Sequence, residues 1–520
     1  MPFPAEIGLA SMAQVSRVLA QEGYQSYVVG GFVRDYLLGR KTNDVDIAVD
    51  GDALRAARQV ARALKGKFVL LDDVNSIARV VTANQRQQES PPQGQAFYGL
   101  ECHFDFSSFS ENIESDLARR DFTIDAMAVE LSQLVMAGTR NMAENQSPVK
   151  VIDPFSGESD LGSKIVRAVS EQIFEVDAAR LLRGVRLAAE LDFTVEPKTE
   201  ELIRRYSRSV VKIAGERVRD ELLRLLSLPR TAHYLKQLDE LGLLLSLIPE
   251  LAEGKGVEQP TVHFWDVFDH SLQTVAALGF LLRENDWEYG REDMLAAVPW
   301  SDSIDQHFCQ EVSKGGNRKA LVKLGALLHD IAKPRTKSVD DAGRAHFLGH
   351  GKQGAAMAET IMSRLRFTRQ ETNLVASLVY YHLRPAQMAN GDLPTQRAIY
   401  RYFRDSKGAG IDILFLALAD YLASRGPLAS IKEWEKHCRL ADYVLTEHAK
   451  QQSKVLPLKL VDGHDLIDVF GLTPGPLIGQ LLALVREAQA SGELTTREEA
   501  LALAEKELHE HQDVTKHRIG

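Results

Sequence analysis

The chain has 520 residues, which is too long for one compact core and predicts three or four domains of roughly 100–200 residues each. Its composition, 44% hydrophobic and 26% charged, is typical of a folded globular protein. A net charge of −10 excludes a globally basic nucleic-acid binder, so any RNA partner must be held by local basic patches.

The three cysteines are far apart in the sequence and form no CxxC pair, which fits a reducing compartment. The N-terminal residues lack the pattern of a signal peptide, and no apolar run approaches the length of a membrane span. We therefore expect a cytoplasmic protein with no membrane partner.

Residues 1–165 mix strand and helix patterns. Apolar alternation predicts strands in SYVVGG, DVDIAVD, GKFVLLD, IARVVTA, LECHFDF and AMAVEL. Helical spacing predicts amphipathic helices in MAQVSRVLAQEG and DALRAARQVARALKG, and the polar stretch 84–95 predicts a loop.

From residue 166 onward the pattern is helical. We predict an α+β multidomain protein in which a mixed-sheet head precedes all-α domains. The expected helical parts are 166–255, a histidine-rich block at 262–425, and a tail at 430–520.

The segment YVVGGFVRDYLLGRKTNDVDIAVD, residues 27–50, contains an Asp-Val-Asp sequence. Asp44 and Asp46 are two apart, so both point to one face of a strand. Side by side they repel each other unless protons or cations neutralise them, and oxygen ligands suit Mg²⁺ shared with substrate phosphates.

Gly30 and Gly31 precede these carboxylates in the same segment. Glycine lets the backbone approach a ligand closely, and a helix over 32–38 would present its N-terminal amides to an anion. Together the two features predict a metal–triphosphate site for nucleotidyl transfer. For either motif alone, an ordinary turn or a pair of solvated aspartates is the alternative.

GGFVRDYLLGRKTNDVDIAV resembles the signature of the class II tRNA nucleotidyltransferase and bacterial poly(A) polymerase family. Four further motifs follow in the family's order: LARRDFTIDAMAV, DPFSGESDL, VDAARLLRGVRLAAELDF and IAGERVRDELLRLL. The resemblance implies a polymerase-beta-like nucleotidyltransferase head with bound Mg²⁺, and a helical neck that selects the base and binds RNA. It implies CTP and ATP as substrates and tRNA as the partner.

LARRDFTIDAMAV resembles the segment that binds ribose and triphosphate in this family. Arg119 and Arg120 can make charge-assisted bonds to phosphate oxygens, and Asp121 can accept a hydrogen bond from a ribose hydroxyl. Outside this context, surface salt bridges would be the simpler interpretation of the three residues.

Asp177 and Arg180 lie in the segment that resembles the family's amino-acid template. Three positions apart on a predicted helix, they share one face, and their acceptors and donors can match the edges of C and A. Arg183 and Arg186 extend this basic edge, while an exposed salt bridge is the alternative for the pair.

Other residues complete the expected head and neck. Arg34 belongs to the nucleotide-binding signature, and Glu216 with Arg217 would support the template helix, as the resemblance implies. Asp105 alternates with apolar neighbours on a predicted strand, so we expect it to face Asp44 and Asp46 as a third catalytic carboxylate.

The chain departs from the family pattern at three points. Asp125 replaces the usual Asn, and Val176 replaces the usual Glu of the template motif. Only fourteen positions separate Asp105 from Arg119, an interval that is longer and holds a flexible loop in full CCA-adding members. The short interval predicts partial addition, of CC rather than of the terminal A, unless the loop 84–95 does the same work.

The histidine block contains HFWDVFDHSLQTV, ALLHDIAKP, FLGHGKQGA, YYHLRP and ALADYLASRG, which resemble an HD-superfamily phosphohydrolase domain. The resemblance implies one divalent metal, Mg, Mn, Ni or Co, and room for a second. The implied ligands are His270, His329, Asp330 and Asp420, with His350 and His382 for a second ion and Lys333 as a phosphate contact. For any single histidine a structural hydrogen bond is the alternative, and we interpret His263, His307 and His346 in that way.

The tail resembles the helical module that grips tRNA in HD-containing nucleotidyltransferases, although a purely structural role is an open alternative. The resemblance therefore implies a tRNA nucleotidyltransferase with a phosphohydrolase domain acting on phosphate or 2′,3′-cyclic phosphate ends. A poly(A) polymerase and an RNA-binding protein with a degenerate head are the alternatives, and the intact Asp44 and Asp46 argue against the latter.

Overall fold

The computed structural model describes residues 8–82, 102–139, 149–260, 263–313, 315–389, 393–453, 459–490 and 492–517. The chain divides into two compact units. The first is Met1–Ile213 with Leu241–Leu243, and the second is Ala214–Glu240 with Leu244–Gly520. The boundary at 213/214 falls inside the predicted neck, and the expected loop at 84–95 lies outside the described residues.

A seven-stranded mixed sheet forms the centre of the first unit. Its strands are β1 (Ser26–Val29), β2 (Asp44–Val49), β3 (Lys67–Asp72), β4 (Ile77–Thr82), β5 (Cys102–Ser108), β6 (Ala128–Glu130) and β7 (Val151–Ile152). The spatial order is β3-β4-β5-β2-β1-β6-β7, and the β2–β5 pair is parallel while the other pairs are antiparallel. All six strands predicted from apolar alternation are present.

Helices cover this sheet and extend the first unit. They are α1 (Gly8–Gln21), α2 (Gly31–Leu37), α3 (Ala53–Leu64), α4 (Ile113–Leu117), α5 (Leu131–Thr139), α6 (Gly157–Ser163), α7 (Ile173–Val176), α8 (Ala179–Leu191) and α9 (Pro197–Tyr206). A small parallel pair, β8 (Ile165–Val166) and β9 (Thr194–Val195), lies among the later helices.

The helix α3 shows how the sequence sets an element's limits. Asp52 caps its start by accepting a hydrogen bond from the amide of Arg55, and Lys65 ends it in the left-handed conformation. The alanines and valine on one face are buried and pack against β4 and β5. The amphipathic spacing read from the sequence therefore produces the packing face.

The second unit is almost entirely helical. Its first helices are α10 (Gly215–Leu226), α11 (Thr231–Glu240), α12 (Leu244–Leu247), α13 (Val267–Leu281), α14 (Glu292–Ala297), α15 (Asp302–Phe308), α16 (Arg318–Leu328), α17 (Lys333–Thr336), α18 (His350–Arg364) and α19 (Arg369–Tyr381). Those that follow are α20 (Arg384–Ala389), α21 (Gln396–Asp405), α22 (Gly410–Arg425), α23 (Ile431–Ser453), α24 (Gly463–Phe470), α25 (Pro476–Ala490) and α26 (Arg497–His517). Two short hairpins pair β10 (Glu311–Ser313) with β11 (Gly316–Asn317) and β12 (Ser338–Val339) with β13 (Ala345–His346).

The core of the second unit lies around α13, which packs against α16 and α22, while α18 packs against α19. Leu466, Leu481, Val485, Ala500 and Ala504 form a separate apolar cluster in α24–α26. The predicted order of a mixed-sheet head followed by helical parts is confirmed. None of the described helices combines the length and apolar character that a membrane crossing needs.

Candidate active sites

The carboxylates of the head lie on two neighbouring parallel strands. In β2, Asp44 and Asp46 point to the same face because strand residues alternate. The register pairs Asp46 with Asp105 and Asp44 with His103 on β5. Asp105 therefore faces the Asp44/Asp46 pair as the alternation predicts.

Two of these carboxylates already have side-chain partners. Asp105 accepts two hydrogen bonds of 2.7 Å from Arg79 on β4, and Asp44 lies 2.9 Å from Nδ1 of His103. In the part of the chain that the structure describes, sets of three potential metal donors within 4.8 Å of one another occur only in the second unit. The head thus aligns its carboxylates on one face without gathering all three into a closed cluster.

Asp46 differs from Asp44 in its surroundings. Burial raises the pKa of Asp46 to about 6, although the nearby Arg120 opposes this rise. The Asp44 side chain remains 70% exposed. A half-buried carboxylate beside an accessible one on the same strand face offers oxygen ligands in need of a cation, which fits a hard divalent ion.

The turn before these carboxylates requires glycine. Gly30 has φ +71°, in the left-handed region, and its amide donates to the carbonyl of Met127 at 3.1 Å. A Cβ at this position would collide with Nη1 of Arg120 and lie 3.2 Å from Oδ2 of Asp46. Gly31 opens α2, which begins one residue earlier than predicted.

An arginine cluster surrounds Asp125, which is 1% exposed. Arg34 lies 2.6 Å from its Oδ1, and Arg183 lies 3.4 Å from its Oδ2. Burial alone would raise the pKa of Asp125, but Arg34, Arg183 and Arg120 bring it below its usual range. The aspartate in place of the family's Asn therefore serves here as an anion that holds arginines in position.

Asp121 belongs to the same cluster. It is buried, lies 2.8 Å from Nε of Arg183, and accepts a hydrogen bond from the amide of Phe122. Arg119 is 71% exposed and pairs with Asp116 at 2.6 Å. The segment 119–125 thus supplies one accessible arginine beside a buried ion-pair network.

The start of α8 corrects the predicted template geometry. Asp177 is extended and precedes the helix, and its side chain accepts a hydrogen bond from the amide of Ala179. The prediction that Asp177 and Arg180 share a helical face is therefore wrong, because Asp favours a position before the first turn where it can cap the free amides. Arg180 instead donates to the carbonyl of Arg119 at 2.9 Å, which links α8 to the segment LARRDFTIDAMAV.

Arg186 also departs from its expected location. It is 4% exposed and pairs with Glu190 one turn along α8. A guanidinium packed in this way does not extend an accessible basic edge, so the structure does not bring Arg186 to the site.

Glu216 and Arg217 lie at the start of α10 in the second unit, where Glu216 is 3.8 Å from Arg366. Their predicted support of the template helix in the first unit stays a prediction.

A second candidate site lies inside the helical unit. His270 lies on α13, His329 and Asp330 directly follow α16, and Asp420 lies on α22. Nε2 of His270 is 3.0 Å from Asp420, 3.4 Å from Asp330 and 3.3 Å from Nε2 of His329. The four ligands implied by the HD resemblance therefore come together from three helices.

His350 and His382 form a second group around the same aspartate. Their Nε2 atoms are 3.2 Å apart and lie 3.5 Å and 3.7 Å from Oδ1 of Asp330. The first group faces Oδ2 of Asp330 instead. Two sets of three donor atoms result, with Asp330 common to both.

The outer nitrogens of three of these histidines are fixed by the backbone. Nδ1 of His329 lies 2.7 Å from the carbonyl oxygen of Ala326. The corresponding distances are 2.6 Å from His350 to the Phe347 carbonyl and 2.8 Å from His382 to the Val379 carbonyl. Because a carbonyl only accepts, each Nδ1 carries a proton and Nε2 is the ring nitrogen directed toward the centre. Nε2 is therefore the atom that each ring would offer to a metal.

Protonation and burial also fit a metal centre. Burial, followed by the proximity of His329, lowers the pKa of His382 to about 4, so that its imidazole stays neutral. Both oxygens of Asp330 are buried and accept no well-aligned hydrogen bond among the described residues, although Nζ of Lys333 lies 2.6 Å from Oδ2. The donor set of imidazoles and carboxylates suits divalent transition ions or Mg²⁺.

Sequence reasoning missed two features of these sites. Arg79 reaches Asp105 only through the β4–β5 register, which the strand pattern does not specify. His263, interpreted as structural, lies with its ring 5.3 Å from that of His270 and borders a cavity beside the histidine centre. The sequence around His263 has no motif spacing that would predict this location.

Family models match most of the chain. A model described as "Poly A polymerase head domain" matches residues 26–167, one described as "Probable RNA and SrmB- binding site of polymerase A" matches 192–255, and "HD domain" matches 267–425.

Relatives match over nearly the whole length. An A-adding tRNA nucleotidyltransferase of Deinococcus radiodurans is 31% identical over 92% of this chain and 94% of its own. A CC-adding tRNA nucleotidyltransferase of Thermus thermophilus is 31% identical over 92% of both chains. Four relatives that match 92–94% of this chain are named A-adding or CC-adding, whereas four named CCA-adding enzymes match 41–48% of it.

The fold has solved counterparts. A structure titled as the Thermotoga maritima CCA-adding enzyme with tRNA covers 97% of this chain and 96% of its own, at a TM-score of 0.57 and 21% identity. With the ordered motifs, the aligned carboxylates and the full-length relatives, the chain belongs to the tRNA nucleotidyltransferase family, in which a poly(A)-polymerase-type head precedes an HD domain.

Proposed function

We propose that the head adds nucleotides from CTP or ATP to the 3′ end of tRNA, with Mg²⁺ held by Asp44 and Asp46. The observation that carries this proposal is their alignment on one strand face beside Gly30 and Arg120. Mg²⁺ bound there would activate the terminal hydroxyl and neutralise the leaving pyrophosphate. Asp105 lies next in register and serves as the third carboxylate of this site.

The arginines serve to hold the triphosphate. Arg119 is exposed and Arg120 lies across the Gly30 turn, so both can donate charge-assisted bonds to phosphate oxygens. Arg34 and Arg183 orient this group through Asp125 and Asp121. Gly31 at the start of α2 keeps the backbone open toward the same ligand.

Asp177 and Arg180 select the base in this proposal. Asp177 supplies acceptors at the start of α8, and Arg180, tied to the Arg119 carbonyl, supplies donors. Both C and A present an amine donor and a ring-nitrogen acceptor, which such a pair can match. Solved counterparts include CCA-adding enzymes in complex with ATP and with CTP, which supports the choice of these two nucleotides.

A labelled tRNA transcript that lacks CCA, mixed with CTP, ATP, UTP or GTP, tests the activity. Incorporation limited to C and A at the 3′ end supports the proposal. A long poly(A) product would identify a poly(A) polymerase, and no incorporation would point to an RNA-binding protein.

We propose that the HD domain hydrolyses phosphate esters at RNA ends, such as 2′-phosphates or 2′,3′-cyclic phosphates. This proposal is supported by the two sets of potential metal donors that share Asp330. Mg, Mn, Ni or Co held there would polarise a phosphate oxygen and activate a water. Lys333, which lies beside Asp330, is the proposed phosphate contact.

Hydrolysis of a 2′,3′-cyclic nucleotide before and after chelation tests this second activity. The double substitution His329→Ala with Asp330→Ala should abolish it and leave nucleotide addition intact. Full metal-dependent hydrolysis by the double variant would show that the ligand set is wrong.

We further propose that the enzyme adds part of CCA, and CC rather than the terminal A. Of the four relatives that match nearly the whole chain, three are named CC-adding and one, from Deinococcus radiodurans, is named A-adding. Between Asp105 and Arg119 the chain has room only for the end of β5 and the short α4. No long segment lies there to rearrange Asp177 and Arg180 between bases.

A stepwise assay tests partial addition. Transcripts ending before CCA, after C and after CC are each supplied with CTP and ATP separately and together. Addition that stops after CC supports the proposal, completion of CCA overturns it, and addition of A to the CC-ending substrate alone reverses its direction.

The remaining proposals concern the domain bounds, the cellular location and the residues that support the template helix. We infer a head at 1–165, a neck at 166–255, an HD domain at 262–425 and a tail at 430–520 that binds tRNA, in a protein of the cytoplasm. Glu216 and Arg217 support the template helix in this scheme.

A further inference from the structure

An apolar cavity of about 270 Å³ lies beside the histidine centre of the second unit. Two of the centre's residues, His382 and Asp420, border it. Apolar side chains of α20, α22 and α23 form most of its walls. The cavity therefore reaches the site at which a scissile phosphate would bind.

One face of α22 carries both the proposed ligand and the cavity wall. Leu414, Ala417, Tyr421 and Ser424 follow one another at helical spacing and line the cavity, and Asp420 lies among them. A molecule in the cavity would therefore lie along this face of α22 and contact Asp420.

One wall of the cavity is aromatic and cationic. The ring of His437 on α23 packs 3.9 Å from that of Tyr421, and the Arg425 guanidinium lies 5.8 Å from the Tyr421 ring. Behind them, the fully buried Trp434 is nearly parallel to Tyr421 at 6.1 Å. Aromatic rings and arginine planes held in this way form a surface for a flat heterocycle.

We propose that this cavity holds the base of the terminal nucleoside whose ribose carries the phosphate at the HD centre. This inference rests on the proposed phosphohydrolase function and adds a binding site for the base of the nucleotide that carries the 2′-phosphate or 2′,3′-cyclic phosphate. At about 270 Å³ the cavity lies just below the usual range of small-molecule pockets, roughly 300–1,000 Å³, so one nucleoside is the largest unit that it fits.

The cavity does not distinguish strongly among bases. Its walls are mainly apolar, and stacking on aromatic groups is sequence-tolerant because every base has a π face. In the reaction on a cyclic end, a water oxygen bonds to phosphorus and one ester P–O bond breaks. The released ribose oxygen takes a proton, so that water is the only co-reactant.

Ala386 and Gln387 provide a matched pair for the test. Both are exposed on α20, but only Ala386 lines the cavity. Ala386→Phe would fill the cavity mouth, whereas Gln387→Phe places the same ring at the next position. Both variants are compared with the wild type in the full-length protein.

Hydrolysis is measured for cytidine 2′,3′-cyclic phosphate and for ethylene phosphate, a cyclic diester without ribose or base. Since one stacked base is worth on the order of tenfold in affinity, Ala386→Phe should raise KM for the nucleotide by about tenfold. Its kcat/KM for ethylene phosphate should stay within about twofold of the wild type, and Gln387→Phe should change neither.

Binding of cytidine 2′-phosphate to the chelator-treated protein, followed by calorimetry, gives a readout that does not depend on the metal. Ala386→Phe should remove one class of binding that Gln387→Phe retains. The cavity assignment would be overturned if Ala386→Phe and Gln387→Phe had equal effects. It would also be overturned if Ala386→Phe lowered kcat/KM equally for the nucleotide and for ethylene phosphate. If the wild type hydrolyses neither compound with any of the four metals, the phosphohydrolase proposal fails, and calorimetry still decides whether the cavity binds a nucleoside.

Discussion

Single residues of the head show which constraints come from chemistry and which from packing. Gly30 is needed for both its left-handed backbone and the space that Arg120 occupies. The GG and DVD motifs were predictable because their spacing alone defines the turn and the strand face. Arg79 was not predictable, since its bond to Asp105 depends on the register between β4 and β5 and the connecting residues 83–101 carry no pairing signal.

Gly30→Ala should abolish nucleotide addition because the new methyl group displaces Arg120 from its position beside Asp46. An alanine held in the left-handed backbone conformation of position 30 should also lower the free energy of unfolding by about 1–2 kcal/mol. Gly39→Ala is the matched control, because Gly39 has φ +68° but no atom within 4 Å of the added Cβ. Both variants should lose similar stability in thermal unfolding, but an addition-competent Gly30→Ala protein would contradict this account.

Substitutions of Asp177 separate base choice from capping. Asp177→Ala should lose about 0.5–2 kcal/mol because the Ala179 amide loses its acceptor, and it should blur discrimination of CTP and ATP from UTP and GTP. Asp177→Asn keeps a cap but replaces one acceptor with a donor, so selectivity should change while stability stays near the wild type. Incorporation of each single nucleotide measures the selectivity, and urea unfolding measures the stability. Unchanged selectivity in both variants would mean that another residue reads the base.

Among the elements, the strands of the head and the helices around the histidine centre match their sequence patterns, whereas junctions do not. The start of α8 at Ala179, after the capping Asp177, changes the predicted template face. Burial of Arg186 shows the same limitation, since helical spacing does not reveal which neighbour will cover a charged face.

The fully buried Lys323 on α16 fixes the turn that follows α10. Its ammonium donates to the carbonyls of Leu226 and Leu228 and lies 2.6 Å from Glu284. Lys323→Met should cost about 3–5 kcal/mol, because it removes the nearest charge partner of Glu284 and the donor to two buried carbonyls. Urea unfolding of the second unit measures this loss.

Lys319→Met is the control for that substitution, because Lys319 lies one turn earlier on the same helix and only 3.8 Å from Glu284. It should cost about 1 kcal/mol or less. Similar losses in the two variants would show that the buried contacts of Lys323 contribute little.

At the scale of the whole molecule, the order of motifs predicted both a nucleotidyltransferase head and an HD domain. The boundary between the two compact units at 213/214 was not predictable, because helical patterns lie on both sides of it. Each unit contains one candidate centre, with carboxylates on a sheet in the first and histidines between helices in the second. A substitution in one centre should therefore abolish the activity of that centre and leave the activity of the other intact.

The most direct test measures nucleotide addition and cyclic phosphate hydrolysis in the same preparations of three proteins. These are the wild type, Asp46→Asn, and the double variant His329→Ala with Asp330→Ala. Asp46→Asn should lose incorporation of CTP and ATP while it keeps tRNA binding and hydrolysis, and the double variant should show the reverse loss. Near-normal nucleotide addition by Asp46→Asn would contradict the assignment of the head as the polymerising centre.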